Sequence, residues 1–148
     1  MSAAEALSDK PAFQGPAQSP TDQATQKVAD RLYELCKAGK YVEAMQELYA
    51  DDARQIEAMS MPDCPRVVEG KAALLEAGKK FAETMEIHDQ SCGKPIVNGD
   101  QFVCAMSIDC TAKAGPMAGH RMQMNETCLY TVKNGKISEA KFFYPSGM

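Results

Sequence analysis

Several residue types are scarce in the 148-residue sequence, and each shortage excludes a class of function. There is no tryptophan, and the two histidines, His88 and His120, are too far apart to form the i, i+4 pair of a helical metal site. No run approaches about 18 apolar residues, so we expect no transmembrane helix and no membrane partner. With 16 basic and 20 acidic side chains, the net charge of −4 argues against a nucleic-acid partner, which clustered Lys and Arg would indicate.

Cofactor motifs are missing as well. The sequence contains no C-x-x-C, no G-x-x-x-x-G-K-[ST], no G-x-G-x-x-G and no G-x-S-x-G, so we predict neither a metal nor an organic cofactor. The N-terminus lacks the basic and apolar segments of a secretory signal, which predicts a cytoplasmic protein. The six cysteines are therefore expected to stay reduced and to act mainly as small core residues: Cys36, Cys64, Cys92, Cys104, Cys110 and Cys128.

Hydrophobic periodicity predicts one α+β domain over residues 20–148, after a flexible lead-in over residues 1–19. Ser19 is typical of a helix cap and Gly39 of a helix end, which gives a first helix over 20–38. Two more amphipathic helices are expected at 41–49 and 71–85. Strands are expected at 53–60, 86–97, 101–113, 120–133 and 136–144, and the second of these has an irregular middle at Cys92-Gly93-Lys94-Pro95.

The predicted order of elements indicates three N-terminal helices packed on a strongly curved, mainly antiparallel sheet. Asp51-Asp52 is expected to form a polar break before the first strand, and Asn134-Gly135 to form a hairpin turn. Such a sheet leaves a hollow beside the helices, a place where small ligands commonly bind.

One carboxylate lies on the apolar face of the strand predicted at 120–133. In the two-residue repeat, Glu126 shares its face with Met122, Met124 and Tyr130, whereas the other face is largely polar. Burial raises the pKa of a carboxyl group, which suits a general acid or base. The alternative interpretation is that Glu126 pairs with a Lys or Arg near the edge of the sheet.

A second carboxylate, Glu57, shares a strand face with Met59. If both faces line one hollow, Glu57 accepts a proton while Glu126 donates one to a developing oxyanion, with His120 as a further donor. The alternatives are a Glu57 that points to solvent beside Arg54 and a structural His120 beside a glycine-rich turn.

The expected ligand is a small hydrophobic molecule, because methionine side chains adapt their shape to an apolar guest. The alternative for each candidate is a place in the core or at its rim. The candidate ligand-binding residues are Tyr33, Met59, Phe81, Met106, Met122, Met124 and Tyr130.

Three segments resemble the nuclear transport factor 2-like superfamily, and most closely its SnoaL-like branch. They are ELYADDARQIEAM, VVEGKAALLE and NETCLYTVKNGKISEAKFF, and the resemblance covers about residues 22–144. It implies a conical, cystatin-like barrel with three helices on a curved, mixed but mainly antiparallel sheet, and a homodimer through that sheet. Members include steroid isomerases, polyketide cyclases, dehydratases, epoxide hydrolases and non-catalytic binding domains.

The resemblance also implies roles for individual residues. Glu57 stands where the steroid isomerases carry an aspartate base, and Glu126 stands at or next to the position of their protonated aspartate. Their helix-one tyrosine corresponds to Leu32, with Tyr33 one position away. Two hypotheses follow: an isomerase, cyclase or dehydratase that uses carboxylate acid–base chemistry on an apolar carbonyl compound, or a non-catalytic ligand-binding or dimeric interaction module. A redox or metal role for the cysteines is a third.

Overall fold

The computed structural model describes residues 17–60 and 64–145, so most of the lead-in predicted at 1–19 lies outside the described residues. The helices are α1 (Pro20–Lys37), α2 (Tyr41–Leu48) and α3 (Lys71–Thr84). The strands are β1 (Tyr49–Ile56), β2 (Val67–Glu69), β3 (Met85–Cys92), β4 (Ile96–Asn98), β5 (Gln101–Ala112), β6 (Arg121–Lys133) and β7 (Lys136–Phe143).

The strands form one mixed, mainly antiparallel sheet in the order β2-β1-β7-β6-β5-β3, with β4 also paired to β5. Strands β1 and β7 are parallel, and the other pairs are antiparallel. The three helices pack on one face of this curved sheet, and the predicted α+β fold class is confirmed. None of the helices in the described ranges combines the length and apolarity needed to cross a membrane.

Three details of the strands differ from the prediction. Strand β1 covers Tyr49–Ile56 instead of 53–60, so Asp51 and Asp52 lie inside the strand and form no break before it. The prediction that Glu57 and Met59 share a strand face is wrong, because both residues follow the strand. The β1–β7 register is irregular between Tyr49 and Arg54, and both aspartate side chains are exposed there. The short strand β2 was not predicted, and the segment 86–97 forms two strands, β3 and β4, separated at Gly93-Lys94-Pro95.

Helix α1 is closed at both ends by local hydrogen bonds. The Ser19 hydroxyl accepts from the Asp22 backbone N–H, and the Asp22 carboxylate accepts from the Ser19 N–H, both at 3.0 Å. At the other end, Gly39 N–H donates to the Cys36 carbonyl and Lys40 N–H to the Leu35 carbonyl. This is a Schellman motif with Gly39 at φ +78°, a conformation that favours glycine.

The core lies between α1, α2 and one face of the sheet, which we call the inner face. It is the face that carries Phe102, Cys104 and Met106 of β5 and Cys128 and Tyr130 of β6. The rings of Phe102 and Tyr130 stack at a centroid distance of 4.8 Å. Alternation along β5 and β6 therefore sorts apolar side chains toward the helices, as the period of two predicts.

Candidate active site

The inner face of β6 changes from buried to half-buried along the strand. Cys128 and Tyr130 are packed in the core, whereas Met122, Met124 and Glu126 are only half-buried. Glu126 therefore lies where the core ends and partly accessible surface begins.

Two depressions open on the opposite, outer face of the sheet. One, of about 520 Å³, includes Arg54 and Lys136, and the other, of about 230 Å³, includes Ile96, Val103 and Leu129. Neither includes a candidate carboxylate. The pocket that the sequence predicts on the inner face therefore stays a prediction.

The Glu126 carboxyl is desolvated, and the described residues provide no cation or hydrogen-bond donor that would lower its pKa. Burial first, and the negative charge of Glu57 second, raise the pKa of Glu126 to about 7. The alternative ion pair at the sheet edge is not formed: the salt bridges among the described residues involve other carboxylates and none includes Glu126. A carboxyl group with this pKa can donate or accept a proton near neutral pH.

Glu57 is held just beyond β1 by two hydrogen bonds. Gln55 Nε2 donates to Oε1 and the Tyr144 hydroxyl donates to Oε2, both at 2.9 Å. Burial, followed by the hydrogen bond to Glu57, raises the pKa of Tyr144 to about 12, so this hydroxyl remains a donor. The Glu57 side chain is thus half-buried and fixed, while Arg54 pairs with Glu139 at 3.2 Å.

The strand register brings the two carboxylates to the same end of the sheet. Thr127 of β6 pairs with Phe143 of β7, so Tyr144 leaves the sheet beside the position of Glu126. Because Tyr144 binds Glu57, one tyrosine connects the neighbourhoods of both acids. This proximity agrees with the effect of the Glu57 charge on the pKa of Glu126.

Two buried polar atoms have no hydrogen-bond partner among the described residues: the Tyr41 hydroxyl and Gln90 Oε1. Burial raises the pKa of Tyr41, with smaller contributions from Cys36, Cys92 and Glu126. The Tyr41 hydroxyl is therefore an unused donor close enough to Glu126 to sense its charge. Unpaired buried polar atoms are rare, and each calls for a partner.

Both histidines lie on the surface, away from the two carboxylates. His120 is exposed before β6 and stands six residues, roughly 20 Å along an extended strand, from Glu126. His88 is also exposed, with Nε2 2.7 Å from Thr111 Oγ1. The structure therefore brings neither histidine to the two carboxylates.

The predicted ligand-binding residues fall into three groups. Tyr33 lies at the edge of the buried face of α1, with Lys37 Nζ 5.5 Å from its ring centroid. Met106 and Tyr130 are buried members of the core. The half-buried members, which are the ones with surface left for a ligand, are Met59, Phe81, Met122 and Met124.

Sequence reasoning missed Tyr41, Gln55, Gln90 and Tyr144. Gln55 shares the strand face of Glu57, and Tyr144 shares the parity of the half-buried Phe142 on β7, so a strict two-residue repeat would have indicated both. Tyr41 and Gln90 carry no such signal, because their burial depends on how the helices pack on the sheet.

Comparison with known proteins decides the family. The model of the SnoaL-like domain matches residues 23–144. The chain belongs to the SnoaL-like family. A comparison of this SnoaL-like protein with curated proteins gives no match.

Solved structures are similar to the SnoaL-like protein over most of its length. A protein designated a SnoaL-like polyketide cyclase, from Mesorhizobium loti, is 42% identical, with 80% of this chain and 97% of that chain covered and a TM-score of 0.73. A nuclear transport factor 2-like protein from Burkholderia xenovorans is 15% identical (84% and 92% covered, TM-score 0.66). A protein with a cystatin-like fold from Xanthomonas campestris is 16% identical (82% and 91% covered, TM-score 0.64). The last two show the fold alone, and the predicted superfamily and cystatin-like fold are confirmed.

Proposed function

We propose that this SnoaL-like protein binds a small, largely apolar carbonyl compound on the inner face of its sheet and moves a proton on it. The reaction class is that of an isomerase, cyclase or dehydratase. The observation that carries the proposal is Glu126, a half-buried carboxyl group on the inner face, at the same end of the sheet as a second, hydrogen-bonded carboxylate, Glu57. Burial raises the pKa of Glu126 to about 7, which suits this role. A carboxylate desolvated without a donor or a cation costs stability, so its retention favours a role in chemistry.

The two acids have different roles in this proposal. Glu57 accepts a proton from a carbon next to the substrate carbonyl, with Gln55 and Tyr144 holding its orientation. Glu126 in its protonated form donates a hydrogen bond to the carbonyl oxygen as negative charge develops there. The half-buried Met122 and Met124 on the Glu126 face suit an apolar ring or chain. His120 is left out because it is exposed far along the strand.

A simple ketone tests the proposal. A β,γ-unsaturated cyclic ketone is incubated with the protein, and the rise in ultraviolet absorbance of the conjugated isomer is followed. Glu57→Gln and Glu126→Gln should each lower kcat/KM by about 10²-fold or more, as expected for loss of general acid–base catalysis. His120→Asn serves as the exposed control and should leave the rate unchanged. Equal rates in the two glutamine variants and the unmodified protein would overturn the assignment.

A non-catalytic ligand-binding module is the second candidate, and one observation favours it. Met106 and Tyr130, both predicted to line the hollow, are packed in the core and leave less room for a ligand. In that case the same ketone panel gives no turnover. An apolar fluorescent dye would still bind, and substitution of Met122 by Lys would abolish its binding.

We also propose that the protein is a cytoplasmic homodimer that pairs through the outer face of the sheet. The compartment is supported by the six cysteines, all of which are free. The dimer is supported by Ile96, which is 72% exposed beside the partly exposed Val103 and Leu129. An apolar group of this kind is typical of a contact with a second chain.

A further inference from the structure

Four of the six cysteines lie together on the inner face, although they come from four different elements. Cys104 of β5 pairs directly with Cys128 of β6. Cys92 of β3 pairs with Met106, two residues along β5 from Cys104. Cys36, in the last turn of α1, is buried in the core against which Cys92 packs. Gly39, just beyond that turn, lies against Gln90 of β3, two residues before Cys92 on the same face. We call these four cysteines the thiol row.

Only one member of the thiol row is accessible from outside. Cys36, Cys104 and Cys128 are 3%, 4% and 0% exposed, whereas Cys92 is half-buried. Cys92 also ends β3, the strand at the border of the sheet, and is followed by Gly93. A reagent from solvent therefore meets Cys92 before it meets any other member.

The neighbouring thiols also activate Cys92. The neighbouring thiols, Cys104 first and Cys36 second, lower the pKa of Cys92, whereas Cys92 raises the pKa of Cys36, and Cys128, followed by Cys92, raises the pKa of Cys104. The thiolate is the nucleophilic form of cysteine, so the accessible member is also the reactive one. Among the described residues, no group of three or more His, Cys, Asp or Glu is arranged to hold a metal ion.

We propose that Cys92 and Cys36 form an oxidisable pair that closes a disulfide on reaction with a hydroperoxide. The Cys92 thiolate attacks the peroxide, so that an S–O bond forms, the O–O bond breaks and an alcohol or water leaves. Cys36 then attacks the sulfur of this sulfenic acid. An S–S bond forms, the S–O bond breaks, and the hydroxide leaves with the Cys36 proton as water. Two thiols are oxidised and one hydroperoxide is reduced, a transfer of two electrons.

Geometry selects Cys36 as the partner in preference to Cys104. Cys92 and Cys104 stand diagonally on paired strands, where Cα atoms are about 7–8 Å apart. A disulfide usually needs Cα atoms about 4.4–6.8 Å apart, and two strands of one ladder cannot move together to reach it. Cys36 belongs to a helix that packs on the sheet, and the turn after it lies against Gln90 of β3, so movement of the last turn of α1 can change the distance between the Cys36 and Cys92 sulfurs.

The experiment uses the full-length, fully reduced protein. It is treated with hydrogen peroxide, the remaining thiols are alkylated, and the intact mass and the cross-linked peptides are determined. We expect four alkylated cysteines where the reduced protein has six, a loss of about 2 Da once the alkyl groups are subtracted, a peptide pair joined through Cys36 and Cys92, and full reversal by dithiothreitol. A disulfide that joins any other pair, or a Cys92 that stays reduced in the folded protein while Cys64 or Cys110 oxidises, would overturn the proposal.

Three variants separate the pair from general thiol oxidation. Cys92→Ser should slow peroxide consumption at least tenfold, and Cys36→Ser should stop at a sulfenic acid on Cys92 that a dimedone probe captures. Cys110→Ser removes a buried thiol of β5 outside the row and should keep the bridge at the unmodified rate. If a row variant fails to fold by circular dichroism, the peptide map of the unmodified chain decides. None of these readouts depends on ketone turnover.

Discussion

At the scale of single residues, Glu126 makes folding stability depend on pH. Its pKa is about 7 in the folded protein against an ordinary value of 4.5, so the native state binds a proton more tightly than the unfolded chain does. Stability contributed by this group therefore falls as pH rises from about 4.5 to about 7. Above pH 7 the ionised, desolvated carboxylate costs up to about 3 kcal/mol.

Glu126→Gln removes this cost and should raise the free energy of unfolding at pH 8 by about 1–3 kcal/mol, with little effect at pH 4.5. Urea denaturation at the two pH values measures the difference. Glu86→Gln, on an exposed position of β3, is the matched control and should change stability equally at both. The same gain at pH 4.5 and pH 8 for the Glu126 variant would contradict a raised pKa.

A second prediction at the residue scale compares the stability effects of removing two tyrosine hydroxyls. The Tyr144 hydroxyl donates to Glu57, so Tyr144→Phe should cost about 0.5–1.5 kcal/mol of stability and also impair ketone turnover. The buried Tyr41 hydroxyl has no partner among the described residues, so Tyr41→Phe should be neutral or stabilising. Chemical denaturation of both variants under one condition tests the order. A larger loss for Tyr41→Phe than for Tyr144→Phe would contradict these hydrogen-bond assignments.

These side chains show which features of the candidate site can be predicted from the sequence. The face of Glu126 follows from the alternation of β6, because side chains of a strand point to opposite faces in turn. The link from Tyr144 to Glu57 joins residues 87 positions apart and depends on the β1–β7 pairing. The two-residue repeat can indicate the faces of Gln55 and Tyr144, but no local pattern contains the β1–β7 pairing, so the hydrogen bond between Tyr144 and Glu57 could not be predicted.

At the scale of elements, the turn after α1 depends on one glycine. Gly39 has φ +78°, and a Cβ atom there would stand 2.6 Å from Gln90 Nε2 of β3. Gly39→Ala should therefore cost more than the roughly 1 kcal/mol of a left-handed alanine. Gly99 has φ +63° and open space around it, so Gly99→Ala should lose only the stability that corresponds to backbone strain. Urea denaturation of the two variants measures the difference in the free energy of unfolding. Equal losses for both variants would show that the Gln90 side chain moves aside at no energetic cost.

The helices were easier to predict than the strands. Capping by Ser19, the positive φ of Gly39 and apolar spacing are local signals, and α1, α2 and α3 end within one residue of prediction. Strand β1 tolerates Asp51 and Asp52 because a register irregularity leaves both side chains in solvent. The three-residue β2 exists only through its pairing with β1, which a local pattern does not record.

At the scale of the whole molecule, the two faces of the sheet separate the thiols and carboxylates from the exposed ion pairs and apolar side chains. The inner face places the thiol row next to the buried core and the two carboxylates at the border of that core. The outer face carries the ion pair of Arg54 with Glu139 and the apolar group around Ile96. A fold shared with 15–16% identical proteins fixes this arrangement but not the substrate, so function depends on the side chains of this chain.

The outer face gives the last prediction, which concerns assembly. Val103 and Leu129 pair across β5 and β6, and Ile96 stands beside them over the depression of about 230 Å³. Leu129→Lys places a charge in the proposed contact, where burial without a partner is costly. Its mass in analytical ultracentrifugation should fall from twice the 16.1 kDa chain mass to the chain mass itself.

The matched control for assembly is Ala82→Lys on the exposed side of α3, which adds the same charge away from the sheet and should leave the dimer intact. A stable pair needs about 800 Å² of buried surface on each chain, more than this apolar group alone provides. The contact must therefore extend along β5 and β6, so Thr127→Arg, on the same outer face, should weaken it too. A chain that sediments as a monomer before any substitution would disprove the dimer outright, with the inner-face chemistry unaffected because every residue assigned to it comes from one chain.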